Sequence, residues 1–145
     1  MSYNKKPTFV HAPRLGLQVW ENADGQDPKA ILIGSPFATK VVSLFATGEE
    51  TAAREIQLVI VRPEIPVTIP LITVEIPLNA GRADGVPPVD LFTTELRAIL
   101  PKDGSNQPYL YLMPDDELRA IALTSITATE QLSIVALAGD FNDET

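Results

Sequence analysis

The chain has no cysteine, a single histidine and few aromatic residues: one Trp, three Tyr and five Phe. Without Cys it can form no disulfide, no thiolate metal site and no thiol nucleophile. The lone histidine, His11, stands beside no carboxylate, whereas a general base or ligand normally needs an orienting partner in a formed cavity. GxSxG, the P-loop, GxGxxG and HExxH are all missing. No catalytic, cofactor-binding or metal-binding residue is therefore expected, and the chain is not expected to be an enzyme.

Long uninterrupted apolar runs are also missing. The most apolar stretch, residues 56–76, contains Arg62, Glu64 and Glu75 and the prolines 63, 66 and 70. A membrane helix of about 20 residues does not normally carry that load. No apolar run follows the basic residues near the N-terminus, so a signal peptide is not expected. Positive charge is scarce too, with a net of −8. Nucleic-acid binding, which draws most of its affinity from neutralised phosphates, is disfavoured, as is a broad grip on anionic lipid.

What charge there is divides unevenly. Residues 1–14 carry Lys5, Lys6 and Arg14 with no acid, which leaves −11 on the rest. With Pro7 and Pro13 and no helical period, this segment reads as an extended basic arm with Phe9 and Val10 as apolar anchors. It is either a frayed terminus or a strap that docks on a neighbour. Lys5, Lys6, Phe9, Val10 and Arg14 are the candidate partner-binding residues.

The remainder is rich in β signals. Apolar residues make up 45% of the chain, and 13 Pro against 8 Gly suit a loop-rich β protein. At 145 residues a single domain buries roughly 70% of the surface its unfolded chain exposes, enough for a core without staples. Period-2 alternation starts at Leu15, with Leu15, Leu17 and Val19 on one face and Gly16, Gln18 and Trp20 on the other. Strands are predicted at 29–34, 40–47, 54–62, 67–76, 109–113, 117–124 and 131–138, separated by Gly, Pro, Asn and Asp turns. Pro70 implies an edge position or a bulge. The one predicted helix falls in residues 89–100, with Asp90 as its cap, and 77–88 is a long loop. About eight strands without βαβ alternation predict an all-β fold, a two-layer antiparallel sandwich of jelly-roll or Ig-like type. The expected organisation is an arm at 1–14, a sandwich at 15–141 and an acidic tail at 142–145.

Three acidic clusters remain: Glu49-Glu50, Asp115-Asp116-Glu117, and Asp140 with Asp143-Glu144. None has the DxDxDG spacing of a calcium loop, and Asp24 and Asp27 around Gly25 approach it only loosely. They read as solvated turns and a solvated tail. A glycoside hydrolase would have to rest on Asp115 or Glu117. Tyr109 and Tyr111, two apart on one strand, share a face that suits an interface or the stacking of sugar rings. Trp20 is read as core, interface or, less fittingly, such a platform.

Several phrases carry a resemblance: TAAREIQL at 51–58, VDLF at 89–92, LPKDG through NQPYLYL at 100–112, and VALAGDF at 135–141. In this order and spacing, over residues 29–141, the chain is similar to a family of small β-sandwich virion proteins of tailed bacteriophages. The resemblance implies a capsid decoration or cement protein. Its partner would be the major capsid protein or another virion protein, and its own state homo-oligomeric, with a trimer favoured. It would be made in the host cytoplasm and located on the outer surface of the phage head. A neck, tail or baseplate position is the alternative, as is a carbohydrate- or receptor-binding module.

Overall fold

In the computed structural model, which describes residues 12–65 and 67–141, strands pair as mirror images from the two ends of the chain inward. The outermost, β1 (Ala12–Glu21), pairs with β9 (Gln131–Asp140). Inside it β2 (Lys29–Ile33) pairs with β8 (Glu117–Ala122). Next, β3 (Thr39–Thr47) pairs with the short strands β6 (Val89–Asp90) and β7 (Leu110–Leu112). Innermost, β4 (Arg54–Arg62) pairs with β5 (Val67–Ile76). Every pairing is antiparallel. The chain is thus one long hairpin, rolled up by two further pairings, β3 with β9 and β4 with β8. One sheet runs β1-β9-β3-β6 with β7 also on β3, and the other runs β2-β8-β4-β5.

That order is the double-sheet jelly roll. The two-layer antiparallel sandwich expected from sequence is therefore the fold, and of its two variants the Ig-like one is set aside. An Ig sandwich groups its strands as ABED and CFG.

The core lies between the sheets and follows the period of two. Leu118, Ala120 and Ala122 of β8, Ile56 and Leu58 of β4, and Leu132, Ile134 and Ala136 of β9 all point inward and are buried. Trp20 and Phe92 are the largest of the fully buried side chains. Pro70 sits where sequence placed it, on the edge strand β5, beside a register shift opposite Leu58 and Val59.

Three expectations need correction. The first strand begins at Ala12 rather than Leu15, so Arg14 belongs to the sandwich; residues 1–11 lie outside the described residues, as does the tail at 142–145. The helix of at most one or two turns expected within 89–100 is α1 (Thr94–Ile99), but its cap is Thr93 rather than Asp90, and Val89–Asp90 form β6. The reason is local. Leu91 N–H donates to Leu44 C=O and continues the sheet, while Thr93 caps the helix by accepting from Leu96 N–H. Asp90 instead accepts from Phe92 N–H in a tight turn. Finally, β9 extends to Asp140, two residues past the predicted end.

The direction in which β1 faces is decided at the edge between the sheets. Gly16 points inward, and a Cβ there would lie 2.7 Å from the Ile31 carbonyl oxygen, so β2 approaches more closely than a side chain allows. Three side chains then stitch the two edges. Gln18 donates to Ala30 C=O at 3.0 Å, Lys29 to Val19 C=O at 2.6 Å, and Arg14 to Ile33 C=O. With Gly16, Gln18 and Trp20 turned in, Leu15, Leu17 and Val19 necessarily face out.

Candidate interaction surface

The outer face of the β1-β9-β3 sheet is built from cross-strand rows. Leu15 lies opposite Leu137, which lies opposite Ser43. Leu17 lies opposite Val135, which lies opposite Phe45. Val19, Ser133 and Thr47 form the third row. Leu15, Leu17 and Leu137 are 62%, 56% and 42% exposed. Val42, displaced by a register shift in β3, adds a further exposed side chain. These are β-branched and aliphatic residues of high strand propensity, so the strands form regardless, but nothing in the chain's described residues covers them.

The opposite sheet differs. Its outer face carries Glu55 directly across from Glu75, then Gln57 with Thr73 and Ile121, then Val59 with Arg119, then Val61 with Glu117. The first face is thus the more apolar, and the second carries Glu55, Glu75 and Glu117 among apolar side chains that include the exposed Ile33.

At one end of the apolar face lies the tyrosine cluster. Tyr111, 44% exposed, is opposite Lys40, and its ring sits 5.7 Å from that of Phe141. The Lys40 ammonium stands 4.8 Å from the Tyr109 ring centroid and 3.2 Å from the Asp103 carboxylate. Lys40, Asp103, Tyr109, Tyr111 and Phe141 line an open depression of about 300 Å³. The two tyrosines are therefore brought together, although only Tyr111 is on a strand. Asp103 holds the adjoining turn by accepting from Ser105 and Gln107 N–H; the Gln107 contact leads in holding its carboxyl below the usual range.

Trp20 is only 1% exposed and cannot stack a ligand. Arg14 is engaged by Asp140 at 3.3 Å. Lys5, Lys6, Phe9 and Val10 lie outside the described residues.

Two acids read from sequence as solvated turn residues are buried. Glu49 is fully buried: Thr127 donates its hydroxyl at 2.5 Å and its N–H at 2.9 Å, and Arg54 Nε lies 3.2 Å away. Burial pushes its pKa up, but the Thr127 bonds and Arg54 outweigh that and hold it below the ordinary value. Asp116 receives a two-pronged bond from Arg62, both contacts at 2.9 Å, plus Met113 N–H at 3.1 Å. Arg62 is the main reason its pKa is lowered, against the opposing effect of burial. Both carboxylates are structural. A signal was present in the sequence, since the two acids that must be paired match the two arginines bracketing β4. Among the described residues no group of three or more His, Cys, Asp or Glu is placed to hold a metal ion, and no helix is long and apolar enough to cross a membrane.

No family model matches the chain, and no curated protein does. Among solved structures it is similar to Eiger TNF from S. frugiperda, at 9% identity and a TM-score of 0.40 over 93% of this chain and 98% of that one. A likeness of that degree carries no functional argument.

Proposed function

We propose that this chain is a non-enzymatic structural protein of a tailed-phage virion, a capsid decoration or cement protein that binds and stabilises the head shell as a homo-oligomer, with a trimer favoured. The observation that carries the reading is the apolar outer face of the β1-β9-β3 sheet, which is too broad and flat for a small molecule and suited to a protein. The sequence phrases shared with small virion proteins supply the class of particle. They fall on β4, β6, β7, β9 and the turn before β7, so the resemblance lies in the rigid body. An acidic body suits the outside of a DNA-filled shell, and the basic residues Lys5, Lys6 and Arg14 suit steering towards an acidic capsid surface. A neck, tail or baseplate post is the variant of the same reading.

The test is co-sedimentation of the purified full chain with phage heads that lack it, followed by heating of the particles. Binding together with a raised temperature of shell rupture is expected. No binding to heads overturns the decoration reading, and binding to tails alone moves the protein to the alternative post.

A carbohydrate- or receptor-binding module is the second reading. The depression between Tyr109, Tyr111 and Phe141 favours it, since exposed aromatic rings there can stack a sugar ring.

A further inference from the structure

We infer that the outer face of the β1-β9-β3 sheet is where a second copy of this chain docks, through the rows Leu15–Leu137 and Leu17–Val135–Phe45. The inference deepens the homo-oligomeric part of the proposed function and rests on it only for that part.

Area argues for a protein occupant. Strands of nine or ten residues rise about 33 Å, and the three of them at about 4.8 Å spacing give a face of roughly 480 Å² in plan, to which the short β6 and β7 add at the far edge. Corrugation by side chains raises the accessible area towards the roughly 800 Å² per partner of a stable protein interface. A monomer seldom leaves an apolar patch of that extent in water.

Charge argues that the occupant is a copy of this chain. A protein of net charge −8 repels its own copies wherever its acids face outward. The other sheet does this plainly, with Glu55 opposite Glu75 and Glu117 further along. On β1 and β9 the one outward charge among the described residues is Glu21, beyond the Val19–Ser133 row, where it accepts from the Gln131 side chain; at the far edge Lys40 pairs with Asp103 and Asp90 with Arg97. On this face two copies can meet through the apolar rows with Glu21 left at the rim, whereas the glutamates of the other sheet stand within its rows. An electropositive partner would be drawn to the opposite sheet instead. Tyr111 and Phe141 continue the same surface at its end, giving the aromatic anchors that interfaces favour.

The inference is tested by sedimentation velocity and light scattering on the full chain, comparing wild type with Leu17→Asp and Leu137→Asp. Both leucines are exposed in the single chain, so the variants should keep a wild-type β-sheet circular dichroism spectrum. Wild type should run as an oligomer. Either variant should lower the measured mass about two- to three-fold, to that of the 15.7 kDa chain. Ile121→Asp, on the opposite sheet, serves as a control that should remain assembled. A monomeric wild type overturns the inference, as does dissociation by Ile121→Asp with the two leucine variants still assembled. The measurement needs no phage particle. Loss of self-association and loss of head binding are therefore separate results, and either can fail alone.

Discussion

Arg62 grips Asp116 with both prongs of its guanidinium, Nε to Oδ1 and Nη2 to Oδ2, each at 2.9 Å, across 54 residues of sequence. At the other end of the same strand Arg54 meets Glu49, and its Nη2 donates to Thr127 at 2.8 Å. The central strand β4 is thus clamped at both ends by a buried carboxylate from a loop. Asp116 ties the turn between β7 and β8, and Glu49 with Thr127 joins the β3–β4 and β8–β9 connections. A rolled hairpin has long, non-local pairings, and these two clamps hold the loops at its ends.

Removing one clamp should cost stability without changing the fold. Glu49→Ala leaves Arg54 and two Thr127 donors without their partner in a dry site, a loss on the order of 3 kcal/mol. A fall in melting temperature of about 10 °C by calorimetry is expected for a chain of this size. A variant that melts with wild type would show that the clamp carries no net stability.

Acid should unfold the protein through the same pairs. Glu49 and Asp116 both have pKa values lowered by folding. Their contribution is therefore complete above the unfolded carboxylate range, about pH 4 to 5, and is lost as pH falls through the folded values. Melting temperature should be level from neutral pH to about pH 5 and then drop. Asp116→Asn should flatten that drop in a pH series of melting curves, and an unchanged acid limb would assign it to other groups.

Gly34 is the tightest packing point between β2 and the β7–β8 turn. A Cβ there would lie 2.1 Å from the Met113 carbonyl oxygen, and Gly34 exchanges backbone bonds with Asp116 and Asp115. Gly34→Ala should destabilise by about 2 to 3 kcal/mol, because backbone must shift on one side. Urea titration with an unchanged slope and a lowered midpoint is the expected result.

In the proposed function residues 1–11, with Lys5 and Lys6, would meet the shell through their charge. Their deletion should leave the sandwich folded, with a wild-type β-sheet circular dichroism spectrum, since β1 begins at Ala12. Binding to heads should fall sharply, with the remaining binding less sensitive to salt. Unchanged binding would move the contact to the sandwich itself.

A glycan array with the assembled protein, and with Tyr111→Ala as control, separates the second reading from the first. Sugar binding lost in the variant supports a receptor-binding role. Absence of any glycan signal removes it.

Much of this molecule was legible residue by residue. Alternation in β8 sets Leu118, Ala120 and Ala122 on one face against Arg119 and Ile121 on the other, and the fold buries the first set. Pro70 marked an edge because it cannot donate to a ladder on both sides. The helix cap at Asp90 failed, because Val89 and Asp90 have a sheet edge to extend that no local propensity reveals. Glu49 and Asp116 looked solvated, because turn residues usually are, and their arginine partners were visible only as charges on a strand.

The sequence by itself determined the class: an all-β sandwich without cysteine or recognisable catalytic motif, its turns set by Gly, Pro, Asn and Asp. Those features act over two to ten residues, where backbone sterics and side-chain alternation decide. Only the tertiary structure decided the jelly-roll order, the burial of the two carboxylates and the outward turn of Leu15, Leu17 and Leu137. Each of these depends on which strand lies beside which. In β1 both faces offer apolar residues, so alternation alone is indifferent, and the close approach of β2 over Gly16 sets which face meets water.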